Sequence, residues 1–306
     1  VWTWRETMYR FALEMTPEDT EAVATLLYVE MLEQGYTRVG EFHYLHHDRD
    51  GAPYANPAEM ATRIARAAEI SGIGLTLLPS FYAHGSFGGA PPHAGQRRFI
   101  CSVDQFARLT AATRTAIRAL PGANVGVAPH SLRAVTPDEL AAIAPLAEGG
   151  PVHIHAAEQT KEVDECIAWS GRRPVEWLLE RAPVDQRWCL IHATHMTATE
   201  TAALAGSGAV AGLCPVTEAS LGDGIFPTRE FLDATGRFGI GTDSNVLVGV
   251  TDELRQLEYG QRLKRRERNV LSGGPGVSTG RALFDAALAG GAQALAQPLV
   301  GLQAGA

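Results

Sequence analysis

Three apolar, strand-like runs in the second half of the chain finish on residues that bind metals or carry protons: VHIHAAE (152–158), CLIHATH (189–195) and FGIGTDS (238–244). Alternate side chains of an extended segment share a face, so His153 and His155 point together and Ile154 points away. His155, nearest the strand end, is the candidate metal ligand of its run. Glu158 follows three residues later, far enough into the loop to act as general acid and base on an activated water. His192 ends the second run and Asp243 the third. A carboxylate set directly behind an aliphatic strand is costly to bury alone, and a divalent cation satisfies it. Imidazole and carboxylate donors together suit zinc, with iron as the second choice. Such a metal acidifies bound water, and a nearby carboxylate can pass the proton to a leaving nitrogen. Each residue also has a plainer use: His155 as a hydrogen-bonded core histidine, Glu158 and Asp243 as caps of the segments that follow them.

Two more strand ends carry polar groups of another kind. PHSLR (129–133) offers His130 and Arg133. An arginine stays charged and grips a carboxylate with two parallel N–H donors, although a surface ion pair is its alternative use. EFHYLHHD (41–48) offers Tyr44, with His43, His46 and His47 around it. That histidine cluster has the look of partly solvated loop residues. His195, beyond His192, reads as a solvated residue or a support for the ligands.

Residues so far apart in sequence need elements that gather several strand ends in one place. Strand-like runs fall near 37–45, 72–82, 124–130, 151–157, 187–193, 209–215 and 237–243. Their nearly continuous apolarity is that of parallel strands buried on both faces. Helical patterns separate them, and further helices at 251–268 and 280–295 close the chain. The helix from 17 is announced by Thr16-Pro17-Glu18-Asp19: an N-cap, a proline suited to the first helical position, and acids at the positive helix end. The Gly-, Pro- and His-rich loop 83–96 is longer than compact domains usually tolerate without a function. A TIM-like α/β fold follows, with seven strands, one short of a closed (β/α)8 barrel, whose chemistry collects at the C-terminal mouth. A doubly wound open sheet fits less well, because no Gly-rich phosphate loop follows any strand and too many strand ends are polar for one switch point. No linker divides residues 1–306, which read as one domain.

Composition narrows the function. A formal charge of −8 argues against a broad nucleic-acid surface, and the basic run RLKRRER (262–268) reads as a solvated helix face. Four cysteines without CxxC spacing point to reduced thiols and a cytoplasmic protein. No apolar run reaches membrane-spanning length. Val1 is no initiator, and LVGLQAGA (299–306) stops at what reads as the start of another strand, so both ends look cut.

The order and wording of these segments resemble the amidohydrolase superfamily and, within it, the N-formimino-L-glutamate deiminases. The likeness is carried by EFHYLHHD, GIGLTLLP (72–79), GQRRFI (95–100), HSLRAVTP (130–137), VHIHAAEQTKEVDEC (152–166), WSGRRPVEWL (169–178), VDQRWCLIHATH (184–195), VTEASLGDGIFP (216–227) and ELRQLEYGQRL (253–263), with WTWRE (2–6) at the start. The resemblance implies one zinc on His155, Asp243 and a His-x-His pair on the first strand; the only His-x-His in this sequence, 153–155, lies on another strand. It implies catalysis by Glu158, His192 and Asp243, and substrate contacts from Tyr44, His130 and Arg133. The reaction implied is hydrolysis of the formimino group to N-formyl-L-glutamate and ammonia. It further implies a missing first strand and a missing small β-sandwich, so the chain looks like a fragment. A homodimer acting on a small carboxylate-bearing substrate completes the expectation. Two rivals remain: a nucleobase deaminase of the same superfamily, which gives Arg133 no carboxylate to bind, and a metal-free, inactive barrel.

Overall fold

The computed structural model describes residues 2–298, with the side chains of residues 2–6 outside the description. Residues 299–306, where the sequence suggests a further strand, lie outside the described residues. The chain divides into two compact units, one up to His153 and one from Ile154 onward.

The first unit is built on a parallel sheet of β1 (Arg38–His43), β2 (Gly74–Phe81), β3 (Asn124–Val125) and β4 (Ala128–Pro129). β1 and β3 pair with β2, and β4 pairs with β2 as well. The single run expected at 124–130 is thus split in two without a change of register: Leu77 faces Val125 and Ser80 faces Ala128. Between the halves Val127 turns to another neighbour, donating to the Pro151 carbonyl and accepting from the His153 N–H. Gly126 permits this, because a Cβ there would collide with the Pro151 carbonyl oxygen. The helix Pro17–Glu33 starts as expected, with Thr16 and Asp19 exchanging side-chain and backbone hydrogen bonds of 2.9 Å. An additional helix, Trp2–Glu14, precedes it, where the sequence suggested only an abrupt start.

The second unit continues with β5 (Val152–Ala156), whose first two residues still belong to the first unit, then β6 (Trp188–His192), β7 (Val210–Leu213) and β8 (Arg237–Ile240). They form one parallel sheet in sequence order. Helices between the strands cover it, and Trp188, Leu190, Val210, Leu213, Phe231 and Phe238 are buried in its core. The helix Thr279–Ala294 lies so close to β8 that Gly290 has no room for a side chain against the Phe238 carbonyl. All four cysteines are free and buried. Among the described residues, no helix is long and apolar enough to cross a membrane.

Candidate functional site

The strand ends of the second unit turn sharply. Ala157 after β5, His192 and Ala193 at the end of β6, and Asp243 beyond β8 all have left-handed backbone, with φ of 52°, 67°, 49° and 46°. Side-chain-bearing residues pay roughly 1–2 kcal/mol for that conformation, so the surrounding bonds must hold it. Glu162, in the helix Thr160–Ser170, takes the N–H of Ala157 on one carboxylate oxygen and that of Glu158 on the other, both at 3.0 Å. Ala193 donates to Ala156 at 2.9 Å, and His195 to Ala157 at 3.0 Å. The loops after β5 and β6 are therefore tied to each other.

His192 lies at the centre of this region. Its Nδ1 is 3.3 Å from Glu218 Oε1 and its Nε2 is 3.9 Å from Asp243 Oδ2. The His155 ring is 5.6 Å from the His192 ring, centre to centre. Burial alone would depress the His192 imidazole. The Glu218 hydrogen bond and the charges of Glu158, Glu218 and Asp243 overcome it and bring the pKa up to about 9. The surrounding carboxylates feel the opposite pressure. Burial, with the Glu158 charge adding to it, raises Asp243 even though His192 pulls it down. Asp223 is pushed up to about 6 by burial and by Glu158, against a hydrogen bond from Gln159. Asp243 nevertheless keeps 34 % of its side chain open, which leaves it accessible to a ligand.

This chemistry fits a divalent cation. His192, Cys214 and Asp243 each bring a donor atom within 4.8 Å of the other two, and the crowded carboxylates would be relieved by positive charge. His155, Glu158, His192 and Asp243 are thus brought together in one unit. Among the described residues, His192 and Cys214 thus add two candidate donors beside Asp243, and the His155 ring lies against that of His192.

The other expected residues gather in the first unit. Tyr44, just past β1, has its ring 5.7 Å from that of His130, which follows β4; Tyr82 lies 4.7 Å from His130. His130 Nδ1 is 2.9 Å from Ser131 Oγ. Arg133 is half-buried three residues further along the same loop. His43, His46 and His47 are not solvated loop residues: all three are buried. His46 Nε2 lies 2.8 Å from the Ser80 carbonyl oxygen and His47 Nε2 2.9 Å from that of Ile100, and these main-chain partners are invisible in the local sequence. Burial holds His43 down to about 4. His195 supports the second-unit loops, with Nε2 2.7 Å from the Asp223 carbonyl. The basic run does sit on a largely exposed helix end, with Arg262 paired to Glu258 and Arg265 to Glu230.

Sequence reasoning missed Cys214, Glu218 and Asp223. All three lie in or beside CPVTEASLGDG (214–224), which begins at the end of β7. An acid four residues into such a segment signals a helix cap, and Glu218 does cap: it takes the Cys214 N–H at 2.9 Å.

Comparison with known proteins places the chain in a family. The sequence pattern of the amidohydrolase family matches residues 1–296. The formimidoylglutamate deiminase of Pseudomonas aeruginosa is 57% identical over 99% of this chain and 67% of its own length. A 5-methylthioadenosine/S-adenosylhomocysteine deaminase of Natronomonas pharaonis is 31% identical over 99% of the chain and 64% of its own length. A crystal structure of an amidohydrolase from Brucella melitensis superimposes with a TM-score of 0.97 at 64% identity, covering 100% of this chain and 68% of that one. The chain spans about two thirds of the length of these relatives.

Proposed function

This chain belongs to the amidohydrolase family, with its TIM-like α/β fold, and from that premise we propose that the protein hydrolyses the formimino group of N-formimino-L-glutamate, releasing ammonia and N-formyl-L-glutamate. The likeness to a formimidoylglutamate deiminase, far above that to an adenosine-type deaminase, carries the reading. The acidic surroundings of His192 support it: a formimino group is basic, and carboxylates favour its cationic form.

The metal site is read as zinc held by His155 and Asp243 together with donors from the rest of the protein, with iron as the alternative. When bound, the metal supplies Lewis acidity that makes water nucleophilic near neutral pH. Asp243 orients the attacking water and accepts its proton. Glu158 carries a proton to the departing nitrogen, which leaves as ammonia once its bond to the formimino carbon breaks. His192, with Nδ1 turned to Glu218, points Nε2 towards the developing tetrahedral centre. Arg133 binds a substrate carboxylate, with Tyr44 and His130 beside it in the substrate contact. Four buried free thiols support a reducing, cytoplasmic setting. A homodimer belongs to the same reading.

The test is ammonia release by the full-length, metal-loaded protein from N-formimino-L-glutamate and from 5-methylthioadenosine. Turnover confined to the first substrate is expected. Turnover confined to the purine would replace the reading with nucleobase deamination, and a full-length protein that takes up no metal when it is offered and is inert to both would favour a non-catalytic barrel.

A further inference from the structure

Consecutive residues of one short helix touch both halves of the catalytic cluster. The helix Pro215–Leu221 starts directly behind β7. From its first turn Thr217 reaches the loop around Asp243: its hydroxyl donates to the Thr242 carbonyl at 3.2 Å, and its oxygen accepts the Ser244 N–H at 3.2 Å. The next residue, Glu218, reaches His192. The helix start is itself held by Glu253, whose Oε2 takes the Val216 N–H at 2.9 Å.

We propose that Glu218 is a positioning residue, which fixes the tautomer and aim of His192 for the reaction. This rests on the reading that His192 acts in the deimination. Glu218 Oε1 is itself fixed, because it also accepts the Cys214 N–H at 2.9 Å. A carboxylate oxygen held in place accepts only, so the imidazole nitrogen facing it carries a hydrogen. Nδ1 is therefore committed to Glu218, and Nε2 is the nitrogen left to face Asp243, 3.9 Å away. Glu218 and His192 are only 3% and 1% exposed, so water does not compete for the bond. Thr217 and Glu218 together keep the Asp243 loop and the His192 ring in register through one rigid turn.

A pure capping role makes a different prediction. A cap needs only the Cys214 N–H bond, and its loss costs stability without touching the ring. The test uses full-length, metal-loaded protein with ¹⁵N-labelled histidine, and Glu218→Ala and Glu218→Gln variants. In the wild type the His192 Nδ1–H resonance, identified by its loss in His192→Gln, is protected from exchange. Glu218→Ala is expected to abolish that protection and to lower kcat by about 10–100-fold, the usual cost of losing such a supporting partner, with KM little changed. Glu218→Gln keeps an acceptor of the same shape, and should shift the resonance and recover part of kcat. A protected Nδ1–H together with unchanged kcat in Glu218→Ala overturns the proposal. If the alanine variant fails to fold, an unshifted resonance in Glu218→Gln overturns it instead. A wild type without activity on N-formimino-L-glutamate sinks the deiminase reading, while the resonances still decide the role of Glu218.

Discussion

Glu158 and Asp243 are both carboxylates beside one imidazole, and the proposed mechanism gives them different work. Asp243 offers an oxygen within ligand range of His192 and Cys214. Glu158 lies three residues beyond His155, past the strand end, with its backbone N–H bonded to Glu162, and in the proposed mechanism it moves a proton rather than holding the ion. Glu158→Gln should therefore keep the metal content near wild type and reduce turnover by about 10²–10⁴-fold, the range for general acid–base catalysis. Asp243→Asn should lose metal and turnover together, as elemental analysis and ammonia release would record. The reverse pattern would exchange their roles. Arg133 is a separate case. Its replacement by alanine should lower kcat/KM for the glutamate derivative roughly ten- to hundredfold, as for loss of a charge-assisted bond of about 1.5–3 kcal/mol. Lysine should not rescue it, because an ammonium lacks the planar fork. A carboxylate-free formamidine should be insensitive to the change, and equal losses on both compounds would refute the assignment.

Strands and helices were legible because each carries its own signal. The apolar runs that became β1, β2 and β5 to β8 were bounded to within a few residues, and the helix after Thr16 announced itself by its cap. His155, His192 and Asp243 were legible for the same reason, as polar residues ending apolar strands. What stayed hidden depends on partners distant in sequence. The split between β3 and β4 follows from the Pro151 carbonyl approaching Gly126. The burial of His46 and His47 follows from carbonyls at Ser80 and Ile100. Glu218 was hidden because its local duty as a cap accounts for it fully until His192 is placed beside it. Close approach between elements gives another check. Gly290 in the helix Thr279–Ala294 faces the Phe238 carbonyl, whereas Gly206 in the helix Ala198–Ser207 meets nothing within 4 Å. Gly290→Ala should destabilise by about 1–3 kcal/mol through overpacking. Gly206→Ala should stabilise by roughly 0.4–1 kcal/mol through the unfolded chain. Urea midpoints that move in the same direction for both would contradict the close packing of that helix on β8.

At the scale of the molecule, the two units carry buried ionisable groups of opposite consequence. In the first, burial lowers His43 from 6.5 to about 4 and His46 well below 6.5. Their unfolded forms take up protons that the folded forms refuse. Stability should be complete above pH 6.5 and fall as the pH drops toward 4. In the second unit, burial raises Glu253 from 4.5 to about 8, against the Val216 N–H bond that lowers it. Its folded form retains a proton that the unfolded form releases. That contribution is complete below pH 4.5 and is lost as the pH rises through about 8. Hydrogen exchange followed by mass spectrometry on metal-depleted protein should show acid loosening the first unit and alkali the second. Glu253→Gln should flatten the alkaline limb, and an unchanged limb would remove Glu253 as its source. The buried thiols turn this into a chemical clock. Cys101 lies in the first unit and Cys166, Cys189 and Cys214 in the second. Burial raises all four, Cys101 and Cys189 to about 12, so the closed protein should be silent to alkylating reagents. Every adduct then dates an opening event, and the peptide that carries it tells which half of the chain opened.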